Sequence, residues 1–343
     1  MAAYIQGMSW LTPLGSGLED VWSRLLEGEA AKVAEIGKHF YIPLSPECQE
    51  CVAALGKNPR LRRSSAISYF TAWAGKTALE NAGVAGVNGG RIALVSAVSS
   101  GGVIYTRRFY EGIVEKGTAS PLLFPETVYN APASHLAALL GIDGVTYTLA
   151  GDSSVGISAI KLAAQLLETN QADHCLVVGA EEVDWVLCEA YRRWRLTTSK
   201  PEITLHAKHP AGALLAEGAA ALVLGREGPV RLRRIHGGAP FFSRAGARAA
   251  ISQVYSDLAD GEISFVVGSA NGSFVDNAEA AALGEKFPGA PVLSPKAALG
   301  DALGASALIQ TVAGALALGK HPSVLVSSVG FNHQAAGLTL ETS

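Results

Sequence analysis

Methionine is almost missing from this chain, at 2 of 343 residues, cysteine is sparse at 4, and aromatic residues make up only 7%. So few cysteines in so long a chain cannot form a disulfide framework, and the expectation is a reduced, cytoplasmic protein. Cys48 and Cys51 form a CxxC pair, yet a structural zinc site normally takes four ligands, and Cys175 and Cys188 lie far along the chain. No metal and no cofactor is expected. Charge is also in short supply: 27 Lys+Arg against 30 Asp+Glu gives a formal net charge of −3. No basic block is present that could follow a phosphate backbone, so no nucleic acid partner is expected. Long hydrophobic runs are lacking as well. The longest, Ala211 to Gly225, is cut by Glu217 and falls short of the roughly 18 to 20 uninterrupted residues of a spanning helix, so no membrane partner is expected. The N-terminus has no basic stretch followed by an apolar one, and no signal peptide is expected. No G-x-G-x-x-G or P-loop turn follows any apolar run, which sets a nucleotide-binding α/β protein aside.

What the chain does have is Gly, 38 copies of it, and apolar residues at 49%. Apolar runs of strand length alternate with Ala-rich stretches of helical length, the pattern of an α/β fold with mostly buried sheets. Strands are expected at Arg91 to Ser96, Val145 to Leu149, His174 to Gly179, Ala219 to Leu224, Ile263 to Gly268 and Ser323 to Ser328. Helices are expected at Ser64 to Ala82, Val155 to Leu167 and Ala305 to Leu318. The chain also repeats itself. Gly156-Ile-Ser-Ala-Ile160 aligns with Gly304-Ala-Ser-Ala-Leu308, and the same offset sets His174 to Val178 on Pro322 to Val326. A duplicated α/β unit predicts two halves, residues 1–225 and 226–343, in five-layered α-β-α-β-α packing, with the two small-residue helices at the centre.

The segment Val145-Thr-Tyr-Thr-Leu-Ala-Gly-Asp-Ser-Ser-Val-Gly156 runs from a strand through a turn into a helix, and places Ser153 beside the helix N-terminus. Unpaired backbone N–H groups there stabilise negative charge, which suits a nucleophile. The plainer reading makes Asp152, Ser153 and Ser154 helix caps. The turn is not the G-x-S-x-G elbow of an α/β hydrolase, because its second glycine falls one residue late.

Several blocks in order carry a resemblance over nearly the whole chain. They are Ile5 to Gly15 with Val21-Trp22 and Leu26-Glu-Gly28, Ser96 to Gly102, Ser120 to Asn130, Gly179-Ala-Glu-Glu182, and Glu217 to Leu224. On these the chain resembles the β-ketoacyl-ACP synthases of the thiolase fold. The resemblance implies a Thr-Ala-Cys-Ala-Ser-Gly turn whose cysteine takes the acyl chain, and two histidines that hold and decarboxylate a malonyl thioester. The matching turn here is Gly151 to Gly156, with Ser153 in place of the cysteine. Asn271 and Asp301 stand where the two histidines would be. A thiol at a helix start is acidified, whereas a serine hydroxyl needs a positioned base. Asn271 cannot shuttle a proton, and Asp301 sets a carboxylate where a malonyl carboxylate and an enolate would both be negative. No catalytic residue is therefore assigned. Lys296 and Glu279 match residues that order the family's site, and a structural ion pair between them is the expectation. Ser328 to His333 resembles the family's Gly-Phe-Gly-Gly gate, with Phe331 kept as the gate residue and Asn332 and His333 replacing the glycines.

A synthase relative without its reacting groups resembles a chain-length factor, the inactive half of a ketosynthase heterodimer in type II polyketide systems. The resemblance implies two partners, a Cys-bearing ketosynthase subunit and an acyl carrier protein. It also implies pocket-shaping side chains at Leu123, Thr127 and Tyr129, with Thr106 in the strand-loop after Gly101-Gly102. Simple interface packing is the alternative role for each. The basic runs Arg60 to Arg63 and Arg192 to Arg195 are either patches that meet an acidic carrier protein or a partner subunit, or solvated faces. The chain's shortness, and a serine rather than glutamine at the nucleophile position, lean toward polyene-making systems such as aryl polyenes. The rival reading is a Ser153-dependent acyltransferase or thioester hydrolase with Asp301 or His333 as base.

Overall fold

A computed structural model describes residues 3–343, so the first two residues of the expected 1–225 unit lie outside the described residues. Strand β1 (Ala3–Leu11) leads through α1 (Leu18–Leu26), the hairpin β2 (Ala34–Ile36) and β3 (His39–Ile42), and α2 (Pro46–Leu55) to the long helix α3 (Ala66–Asn81). Next come β4 (Ile92–Val98), α4 (Val103–Lys116), α5 (Ala131–Leu140), β5 (Thr146–Ala150), α6 (Val155–Glu168), β6 (His174–Glu181), α7 (Trp185–Arg193), β7 (Leu215–Ala216) and β8 (Gly218–Gly225). The chain finishes with β9 (Val230–Pro240), α8 (Ala247–Leu258), β10 (Phe265–Val267), α9 (Val275–Lys286), β11 (Val292–Leu293), α10 (Pro295–Leu299), α11 (Ser306–Ala317), β12 (Ser323–Val329) and β13 (Gln334–Thr342).

Ten strands form one hydrogen-bonded ladder in the order β11-β10-β12-β13-β9-β1-β8-β6-β4-β5. Its middle is thin, because β1 and β9 pair only through Ala3, Tyr4 and Ile5. The ladder divides there into two sheets with separate faces. Side chains alternate across a strand, and the alternation assigns each residue to a layer. In β4, Ala93, Val95 and Ala97 face the central layer with α6 and α11, while Ile92, Leu94 and Val98 face α3 and α5. In β12, Val324 and Val326 face the same centre, while Leu325 and Val329 face α8 and α9. The result is the five-layered α-β-α-β-α packing that the sequence repeat predicts.

Small residues make the centre possible. A Cβ on Gly156 of α6 would lie 2.9 Å from the Cβ of Ala307 on α11, and one on Gly179 would lie 2.8 Å from the carbonyl oxygen of Gly304. Three expectations need correction. The strand expected over Ile263 to Gly268 shrinks to Phe265–Val267. Strand β5 is an edge strand with Tyr147 41% exposed, not a buried one. Thr106 lies on helix α4 rather than in a strand-loop, since the chain turns at Gly101 (φ +62°) and is helical from Val103.

Candidate functional site

Strand β5 ends at Ala150, the chain turns through Gly151 and Asp152, and α6 begins at Val155 with Ser154 as its cap. Ser153 sits in that turn and is fully buried. Its hydroxyl lies 2.9 Å from Asp301 Oδ1 and 3.1 Å from Asp152 Oδ1; with one proton it serves one acceptor at a time.

Asp301 is the hub. Its Oδ1 accepts from Ser153 Oγ, from Ser306 Oγ at 2.8 Å and from the Leu303 amide at 3.0 Å. Its Oδ2 accepts from Asn271 Nδ2 at 2.8 Å and Lys296 Nζ at 3.0 Å. Ser153, Asn271 and Asp301, the three positions that the sequence resemblance sets against the family's reacting groups, thus meet in one buried network. Five donors saturate a carboxylate that offers about four lone-pair directions. Burial alone would push the Asp301 carboxyl up, but the Lys296 ammonium and the Asn271 and Ser306 bonds outweigh it and hold the group below the ordinary Asp value. Its charge is therefore compensated. What would meet an incoming anion is a closed ion pair rather than a bare carboxylate.

The expected Lys296–Glu279 pair gives way to Lys296–Asp301, because Asp301 follows α10 by two residues and brings its own counter-charge to the ammonium. Glu279 is instead held by the Ser269 amide at 2.8 Å and Ser327 Oγ at 2.6 Å, with Tyr255 Oη at 3.3 Å. Burial pushes its carboxyl up. His333 makes no hydrogen bond to Ser153. Its ring stacks on Phe241 at 5.0 Å and meets Phe274 edge-on, from a backbone at φ +61°.

Phe331 is buried with its ring 5.8 Å from Tyr191 and 6.5 Å from Phe274. Outside it lies a cavity of about 280 Å³ lined by Tyr191, Trp194, Leu196, Phe331, Asn332 and Asp152. Ser153 does not line it.

The other four positions lie elsewhere. Thr106 lines a separate cavity of about 350 Å³ with Val103, Arg107, Tyr110, Trp185 and Val186. Leu123 and Thr127 flank the short turn Phe124–Glu126 and are half-buried, and Tyr129 lies over Gly101 just before α4. Phe109 on α4 meets Phe124 at 5.8 Å, so α4 and this segment form one surface.

Two residues that matter received no role from the sequence. Glu181 ends β6 and Glu182 follows it directly, both fully buried. Glu181 accepts from the Ser99, Ser100 and Gly304 amides, and Glu182 from the Ile67 and Ile104 amides. Together they tie the starts of α3 and α4 and the approach to α11 to one strand end. Burial pushes Glu181 up to about 8 and Glu182 to about 7. The available signal was an adjacent acid pair directly after a buried strand.

Among the described residues, no group of three or more His, Cys, Asp or Glu side chains is placed to hold a metal, and no helix is long and apolar enough to cross a membrane. The model of the β-ketoacyl synthase N-terminal domain matches residues 53–228. A 3-oxoacyl-(acyl-carrier-protein) synthase 2 from Vibrio harveyi is 25% identical over 64% of this chain and 56% of its own length. Its Vibrio cholerae counterpart is 26% identical over 52% and 45%. The chain thus spans about half the length of these curated relatives. Solved structures align over all of it. A β-ketoacyl synthase from Burkholderia phymatum gives a TM-score of 0.87 at 18% identity, covering 99% of that chain. The ishigamide ketosynthase/chain length factor gives 0.84 at 17% and 99%. A ketosynthase in complex with its chain length factor from Xenorhabdus doucetiae gives 0.81 at 18% and 98%. With the family model matched across more than half its residues and the fold shared throughout, the chain belongs to the β-ketoacyl synthase family.

Proposed function

We propose that this chain is a non-catalytic chain-length factor. In this reading it pairs with a Cys-bearing ketosynthase and shapes the acyl pocket while a carrier-bound chain is extended, in a cytoplasmic polyketide system of the polyene or aryl polyene type. One observation carries the reading: Ser153, which the resemblance sets at the nucleophile position, is fully buried and locked to a carboxylate that is saturated with donors and paired to Lys296. A carboxyl held below the ordinary Asp value is too weak a base to deprotonate a hydroxyl. That argues against the acyltransferase or hydrolase reading, even though Ser153 and Asp301 are within hydrogen-bond reach.

A large exposed apolar face supports a partner. Tyr110 and Val114 on α4, Phe124 and Tyr129 in the following segment, Trp185 on α7 and Tyr147 on edge strand β5 are all exposed, and α5 borders both the 124–126 turn and β5. Faces of this kind mark protein contacts, and an unpaired strand edge is a pairing site. Two of the similar structures carry a chain length factor in their descriptions. For a carrier protein, Trp194 and Phe242 stand exposed beside Arg192, Arg195 and Arg244, none with an acidic partner among the described residues. Such a face suits an acidic protein.

Co-expression with a ketosynthase that retains its cysteine and histidines should give a stable complex that elongates malonyl-primed substrate, while this chain alone elongates nothing. Intact mass after incubation with acyl-loaded carrier protein should show no adduct. An adduct that disappears in Ser153→Ala would establish the acyltransferase reading instead.

A further inference from the structure

Contrary to the expectation, the Asp152 side chain does not cap α6: the cap residue is Ser154, which makes no side-chain capping bond, and the Asp152 carboxylate is engaged elsewhere. Its Oδ2 accepts the Asn332 amide at 2.9 Å, and its Oδ1 accepts the Ser153 amide. One carboxylate therefore bridges two segments 180 residues apart in sequence. The 330–333 loop is itself tightly folded. The Gly330 amide bonds the Gln334 carbonyl at 2.9 Å, His333 has φ +61°, and a Cβ on Gly330 would lie 3.3 Å from Asp152 Cβ and Cγ. Beneath the loop, Ser328 Oγ donates to the Ser153 carbonyl at 2.9 Å. Above it, the cavity of about 280 Å³ has Asp152 in its lining and stops short of Ser153.

We propose that Asp152 is a latch: its carboxylate fastens the 330–333 loop onto the 151–153 turn and thereby seals Ser153 from the adjoining cavity. With the latch closed, a molecule in that cavity reaches Ser153 by displacing Phe331 and Asn332, two of its lining residues, and breaking the Asp152–Asn332 bond. The acid is also poorly replaced. Asn at this position keeps the size but offers only one oxygen to two backbone donors. The proposal needs no partner subunit, so its failure would leave the chain-length-factor reading standing, and the reverse holds too.

The test uses an introduced thiol as reporter. Ser153→Cys is treated with iodoacetamide and with a bulkier maleimide, half-exposed Cys51 serving as internal reference, and compared with the same change in an Asp152→Ala background. Hydrogen exchange at the Asn332 amide is followed in parallel. We expect that amide to be protected in the unmodified protein although the Asn332 side chain is exposed. Asp152→Ala should speed its exchange about tenfold, the equivalent of one buried hydrogen bond, and should accelerate the maleimide more than iodoacetamide. Loss of a negative charge alone would accelerate both reagents equally. Equal acceleration with unchanged exchange at Asn332 overturns the latch. So does exchange at the rate of an unstructured peptide in the unmodified protein, a result that stands even if the variant does not fold.

Discussion

Lys296 is buried to 2% exposure and its ammonium rests on one carboxylate, that of Asp301. Removing one member of a buried pair leaves the other charge unpaired, whereas removing both can be nearly neutral. Lys296→Met should therefore destabilise the fold by about 3–5 kcal/mol in urea denaturation. The double change Lys296→Met with Asp301→Asn should recover a large part of that loss. Equal losses for the single and double variants would mean that packing, not charge, governs the site. This pairing was hidden in the sequence. Lys296 lies 17 residues from Glu279 and 5 from Asp301, and linear spacing does not say which acid turns inward. Ser153, Asn271 and Asp301 were legible as a group only through their order relative to a known pattern. Asp152 read as a helix cap, because capping is a local property, but its carboxylate goes to the Ser153 and Asn332 amides instead, and the second of these bonds is a tertiary one.

Among the elements, Glu181 and Glu182 hold three segment starts at a single strand end, and burial raises both carboxyls far above their unfolded value of 4.5. A folded state with the higher pKa binds the extra protons. Its stabilisation is complete below about pH 4.5 and is lost as pH rises through about 7 to 8. Stability should decline across that window by up to about 1.4 kcal/mol per pH unit for each group. Glu181→Gln should flatten the decline, as urea midpoints at a series of pH values will show; a flat profile in the unmodified chain would refute it. Asp301 works in the opposite sense. Its stabilisation is present above the ordinary Asp value of 3.8 and is lost as pH falls through its lower folded value. The buried strands were readable because uninterrupted runs such as Ile92 to Val98 require cover on both faces. Whether a strand lies at the edge depends on what the chain supplies beside it, so Val145 to Leu149 read as a strand but not as an exposed one. The antiparallel β9 and β13 were missed because Arg231, Arg233 and Arg234 break the apolar run in one and Gly337 and Thr339 break it in the other.

At the scale of the whole molecule, the edge strand and the aromatic face beside it are the features least suited to life as a single chain. Tyr147→Lys places a charge on the exposed edge and should abolish co-purification with a ketosynthase, while changing the chain's own stability by less than about 0.5 kcal/mol, as expected of a surface site. Retained pairing would move the interface elsewhere. The saturated Asp301 also bears on how this scaffold can change. A histidine placed at position 301 alone would leave the Lys296 ammonium without its counter-charge and offer at most one acceptor nitrogen where the carboxylate receives five donors. A change at that one position would thus demand coordinated exchanges at several others, each harmful by itself, so the buried network acts as a ratchet on its own composition.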